Sequence, residues 1–193
     1  MSFFLLSLFI LLGCGGEAET TTAPQLSDWG LSIEKAAPVS MPVNGIVECG
    51  TGYTSHELYD VKVTVLEVVR GENAWELLKQ ADPASVESGA GMDYLLARIK
   101  FEYYARGAPG DCCHELTGAQ FVAYSANGIE YPSVALTPPA PELKGRACAG
   151  SNFEGWVVFR ISVNDTKPLA MFNAGIGGVE AIEHGGDIWF QLY

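Results

Sequence analysis

Apolar and polar side chains alternate along several segments of the chain, the period-two mark of strands with one buried face. Val61, Val63 and Val65 point one way, while Asp60, Lys62 and Thr64 point the other. Leu95, Ala97, Ile99, Phe101 and Tyr103 alternate with Arg98, Lys100 and Glu102. Phe153, Gly155, Val157, Phe159, Ile161 and Val163 alternate with a face that includes Glu154, Arg160 and Ser162. Ile188, Phe190 and Leu192 alternate with Trp189 and Gln191. Gln120 to Tyr124 and Ile129 to Tyr131 flank Asn127-Gly128, the signal of a type I′ hairpin turn. Leu169 to Phe172 adds a further short candidate. Clean alternation argues for antiparallel sheets with one wet face, and about seven short strands of this kind predict an all-β, antiparallel β-sandwich.

One helix interrupts the strands. Asn73 is placed to cap it, with Glu76 three residues on as in a capping box. Trp75, Leu78 and Ala81 then share a face, and Asp82-Pro83 ends it. The Ser-, Gly- and Ala-rich stretch from Ala84 to Gly91 reads as a loop.

The N-terminus follows a different pattern. Residues 2 to 12 are almost wholly apolar. That run is about half the length needed to cross a hydrocarbon core, and it fits the apolar region of a secretory signal. Leu11-Leu12-Gly13-Cys14 resembles a lipobox, in which the cysteine thiol receives a diacylglycerol and becomes the new N-terminus. The segment before the apolar run lacks Lys and Arg, which departs from the usual signal. Residues 15 to 27 are small, polar and mildly acidic and read as a tether. Pro38 and Pro42 place the start of the domain between Trp29 and Val43. The expected organisation is therefore a leader over 1–14, a tether over 15–42 and a sandwich domain over 43–193. The address that follows is the extracytoplasmic face of a membrane, reached through lipid on Cys14.

Charge narrows the partners. The 193 residues carry 11 Lys+Arg against 23 Asp+Glu, a net charge of -12. Such a surface repels phosphate backbones and anionic lipid, so no nucleic-acid partner is expected.

Several of these segments resemble a known family. Val65 through Trp75 resembles its strand, Arg-Gly turn and short helix; Gly91 through Ala97 resembles the step into its central strand. Phe121 through Pro132 resembles the strand–turn–strand that follows, and Gly155 through Phe159 the penultimate long strand. Over about Tyr59 to Tyr193 the chain is similar to the telokin-like, immunoglobulin-like domain of bacterial lipoproteins and secreted proteins. That family has no assigned function, and its fold is related to that of the mycobacterial immunoprotective extracellular antigen. The resemblance implies an immunoglobulin-like sandwich on a cell surface and supplies no catalytic residues. The chain departs from the family by adding Cys112-Cys113-His114.

Beyond Cys14 there are four cysteines: Cys49, Cys112, Cys113 and Cys148. An even count in an exported chain reads as two disulfides. Joining Cys112 to its neighbour Cys113 demands a strained eight-membered ring. Cys49 and Cys148 are therefore each expected to bond one of the adjacent pair. The competing reading is a zinc or copper site built from Cys112, Cys113 and His114 with Cys49 or His184. Adjacent cysteines chelate poorly, and paired zinc thiolates normally stand two to four residues apart.

Catalytic signals are weak. His56, His114 and His184 are scattered, and no serine or cysteine lies in a nucleophile-elbow context. The Gly175–Gly178 and His184–Asp187 stretches do not join a strand to a helix, so a dinucleotide site is not expected. Asp165, Glu183 and Asp187 lack the loop pattern of a calcium site. No cofactor, resident metal or catalytic residue is assigned. Trp29, Trp156, Trp189, Tyr103, Tyr104 and Tyr193 remain as a possible aromatic surface. Trp156 and Trp189 lead it, because each faces away from its strand's main apolar set. The expected function is a non-enzymatic, membrane-anchored binding or structural module for a protein or glycan of the cell envelope. The alternative is an envelope metal-binding protein or enzyme using Cys112, Cys113 and His114.

Overall fold

The long alternating runs become long antiparallel strands. A computed structural model describes residues 28–50, 56–106, 112–173 and 187–193. In chain order the strands are β1 (Val43–Gly50), β2 (His56–Arg70), β3 (Met92–Ala105), β4 (His114–Thr117), β5 (Phe121–Tyr124), β6 (Lys144–Ala147), β7 (Asn152–Ser162), β8 (Leu169–Phe172) and β9 (Ile188–Gln191), with helix α1 (Glu72–Ala81) after β2. Strands β1-β2-β3-β7 form one sheet, β5-β8-β9 a second, and β4-β6 a two-stranded ribbon; every pairing is antiparallel.

The two larger sheets stack face to face. Val61, Val63 and Val65 of β2, Ile99 and Phe101 of β3, and Val157 and Phe159 of β7 share one core with Phe121, Phe172 and Phe190 of the other sheet. Phe101 and Phe172 meet across the interface with ring centres 5.6 Å apart. Burying side chains of this size removes about 1.5–3 kcal/mol each of unfavourable hydration. The molecule is therefore the antiparallel β-sandwich with one helix that the alternation predicts.

Several details differ from that expectation. The helix begins at Glu72 with Gly71 (φ +64°) as its N-cap and no side-chain cap. Asn73 sits inside the first turn, so Ala74 and Leu78 are the buried pair in place of Trp75, Leu78 and Ala81. At the turn before residue 130, Gly128 N–H donates to Ser125 O and only Gly128 has positive φ. That is a type I turn closed by a left-handed glycine, not the I′ form, which needs positive φ at both central residues. Residues 129–131 contribute one bridge, Tyr124 to Glu130, and not a strand. Residues 28–42, expected to belong to the tether, pack on the sandwich: Ala37 pairs with Phe190 and is fully buried. Strands β1, β4 and β6 have no counterpart in the period-two reading.

A second, smaller apolar cluster lies on the outer face of the four-stranded sheet. Leu78 and Ala74 of α1 cover Tyr94 and Leu96 of β3, with Trp156 and Val158 of β7 and with Val134 and Leu136 beside them. The remainder of that outer face carries ion pairs. Glu102 accepts from Lys62, Lys100 and Tyr104 at 3.1, 3.2 and 2.8 Å. Burial pushes its carboxyl up, but these donors together hold it below its ordinary value. Among the described residues no helix is long and apolar enough to cross a membrane.

Candidate functional site

The four cysteines form two bridges, Cys49–Cys112 and Cys113–Cys148. The second continues the β4–β6 ladder. His114 pairs with Ala147, so Cys113 falls opposite Cys148 in the next register position. The first ties the end of β1 to the start of β4. All four sulfurs are thereby spent on covalent bonds, and a disulfide sulfur lacks the thiolate charge that binds zinc or copper.

His114 is buried beside the bridges. Its ring lies over Phe101 and Tyr103, at 5.9 and 6.2 Å between centres. Thr117 N–H donates to Gln120 Oε1 at 3.1 Å, which leaves the Gln120 amide nitrogen to donate to His114 Nε2 at 3.0 Å. Burial holds the imidazole below its ordinary pKa, outweighing the opposite pull of Gln120 and Glu115. Tyr59 and Tyr103 stack at 4.7 Å, and Tyr59 Oη accepts from Cys112 N–H and donates to Glu57. Tyr103, proposed from sequence as part of an aromatic surface, is fully buried in the core. Among the described residues, this end of the molecule is a packed, cross-linked block in which His114 is buried.

Trp156 and Trp189 do face away from the core, as their parity predicts, but on opposite sides of the sandwich. Trp156 is on the outer face of the four-stranded sheet, beside the α1 cluster. Trp189 belongs to the three-stranded sheet, where its ring meets Tyr124 at 5.0 Å. The chain before β1 runs alongside: Trp189 N–H donates to Gly30 O, and Ala37 N–H donates to Trp189 O. The two tryptophans therefore do not make one surface. Cys14, His184 and Glu183 lie outside the described residues, as does the side chain of His56. Asp165 and Asp187 are engaged separately, by Tyr131 and by Asn173. Among the described residues no group of three metal-ligating side chains comes together.

The concavity is elsewhere. A groove of about 600 Å³ opens between β5 and β7, the adjacent edges of the two sheets, under the chain from Glu130 to Pro138. Its wall includes Phe121, Val122, Val134, Leu136, Trp156 and Val158. That volume lies within the range of small-molecule and peptide clefts, and mostly apolar walls with a few placed polar groups are the usual composition. Arg160 is one of the polar groups of this wall, and its Nε is buried without a hydrogen-bond partner. Glu130, Glu142 and Lys144 add charge to the lining. One end of the groove is closed where Glu142 bridges Trp156 over Gly155, and a Cβ at Gly155 would stand only 2.5 Å from Leu143 N.

Sequence reasoning found Trp156 for its parity but missed the groove. Arg160 appeared only as an alternating polar residue. The segment 132–139 that forms the roof has neither period and reads as loop. No family model, no characterised protein and no solved structure matches the chain.

Proposed function

We propose that the protein is a membrane-anchored, extracytoplasmic binding module that works without catalysis, holding its ligand in the β5–β7 groove. The observation that carries the reading is the groove itself: a mostly apolar cleft of about 600 Å³ whose wall includes an arginine with its Nε buried and without a hydrogen-bond partner. The lipobox-like Leu11-Leu12-Gly13-Cys14 supports the address, and the two bridges suit an oxidising compartment. The likeness to immunoglobulin-like lipoprotein domains supports the same reading.

Two experiments test it. Metabolic labelling with a fatty acid should mark the chain and drive it into the detergent phase, and Cys14→Ser should abolish both; a wild-type chain that takes no label sinks the anchor. For the groove, the full-length Cys14→Ser chain is titrated with 1-anilinonaphthalene-8-sulfonate, an apolar anion. A Cβ at Gly118 makes only ordinary contact with Val157, at 3.6 Å, so Gly118→Leu fills the groove without a backbone clash. That variant should remove the binding; equal binding by both chains sinks the groove reading.

A further inference from the structure

We propose that the groove is an edge-pairing site for an extended peptide that sets one acidic side chain against Arg160 and one apolar side chain beside Val158. This rests on the groove reading above and names its occupant.

The backbone makes the first argument. Trp156 N–H donates to Pro141 O at 2.8 Å, and Trp156 O accepts from Leu143 N–H at 3.2 Å. Both polar groups of Trp156 thus face away from β3. Along an antiparallel strand this direction alternates residue by residue. The β3–β7 register runs without a bulge from Asn152 to Ser162, so Val158 and Arg160 face the same way as Trp156. The bond from Val163 N–H to Gly91 O, at the far end of the ladder, has the phase this requires. Beyond Arg160 the edge closes again, because Ser162 O accepts from Asp165 N–H and from Arg70. The N–H and C=O of Val158 and of Arg160 therefore form a short open edge between two closed ends. The opposing chain does not fill it: among the described residues, 132–139 make no backbone hydrogen bond. Unpaired edge groups of this kind are the template on which an extended peptide adds as a further strand.

Charge makes the second argument. Acidic residues outnumber basic ones by 23 to 11, and Arg70, Arg98, Arg106 and Arg146 each meet a carboxylate. Arg160 meets none among the described residues, and its Nε is buried without a partner. On an added strand, the residue opposite Arg160 lies on the same face, about 5 Å away between Cβ atoms, and a carboxylate there completes a charge-assisted pair. The residue two positions along falls opposite Val158, next to Trp156, Val134 and Leu136. The wider surface is acidic and repels a peptide rich in carboxylates, so the matching pattern is one acidic residue, a spacer and one apolar residue.

The test uses end-blocked, fluorescein-labelled hexapeptides in which Glu and Val are separated by one Thr, in either order, with Thr elsewhere. They are titrated by anisotropy against the full-length chain in detergent micelles. At least one order should bind. Gln in place of Glu and, separately, Arg160→Met should each weaken it about tenfold, with no further loss when combined, as a direct pair requires. N-methylation of the two alternate amides that face the edge should weaken it tenfold or more. If Arg160→Met fails to fold, the Gln and N-methyl peptides still decide. Failure of both orders to bind overturns the proposal, as does indifference to N-methylation. So does a dimer of the chain that excludes the peptide, since the edge then belongs to a second copy. Anilinonaphthalene sulfonate binding that Gly118→Leu abolishes, without peptide binding, leaves the groove standing and removes this inference alone.

Discussion

The cross-linked end, built around β4 and β6, and the groove, between β5 and β7, belong to one sandwich and are finished in different ways. Around Cys113–Cys148 most polar groups are matched: Gln120 bonds both Thr117 and His114, and Tyr59 bonds Cys112 and Glu57, while the Tyr103 hydroxyl is buried without a hydrogen-bond partner. Along the β7 edge, an arginine and a short run of backbone are left without partners. Unmatched buried polar atoms cost stability, about 1–3 kcal/mol each. A fold keeps them most readily where the rest of the structure is strongly held. Under the proposed function, the first region supplies stability and the second recognition.

The sharpest way to break this comparison is to remove the bridge at the matched end. The double substitution Cys113→Ala/Cys148→Ala opens a loop spanning 35 positions and should cost about 4 kcal/mol in the chain-entropy picture. Denaturant midpoints followed by circular dichroism measure it. A loss below about 1 kcal/mol would mean that the ribbon is held by other contacts and that the stable end lies elsewhere.

A smaller effect is expected at the boundary of the groove. Gly155→Ala forces a Cβ into Leu143 N and Glu142, so the crossing chain must shift. The cost should be about 1–3 kcal/mol, the range for overpacking. The loss of amide protection should concentrate at Trp156 and Leu143, and hydrogen exchange reads this directly. Uniform loss across β3 would contradict a separable groove.

The mildest probe is pH. His114 has its pKa lowered by burial, so the unfolded chain binds the proton more readily than the folded one. Its contribution is whole above the ordinary histidine pKa of about 6.5 and falls away as pH drops from there towards the lowered folded value. The wild-type minus His114→Gln difference in thermal midpoint should decline over that window and be flat above it. A difference that rises on acidification would mean that His114 gains a partner on protonation.

How much of this was legible beforehand depends on what a residue's own neighbours encode. The alternation in β2, β3 and β7 reports burial of one face, so those strands and the stacked sheets follow from it. In β1 the inward positions include Gly45, and β4 and β6, with Glu115, Lys144 and Arg146 outward, are only four residues long, too short for their alternation to stand out. Their pairing defines them: β1 runs along β2 over eight residues and β4 along β6 over four. Counting cysteines required Cys49 and Cys148 to take one each of the adjacent pair, but choosing between partners needed the register of β4 against β6. Parity turned Trp156 and Trp189 outward, yet parity does not say to which sheet a strand belongs, and the two ended on opposite faces. Arg160 was invisible as a site residue, since the absence of a nearby carboxylate is a property of the folded surroundings.

The neighbouring positions of Cys112 and Cys113 have a mechanical consequence. If the chain is held at its N-terminus and pulled, tension arriving at Cys49 passes through two sulfur bridges and one peptide unit to Cys148, which leads directly into β7. The bypassed stretches, spanning 63 and 35 positions, bear no load while the bridges last. At about 3.3–3.6 Å per extended residue, that withholds on the order of 300 Å of slack. A domain wired in this way extends far less under tension than its length would allow.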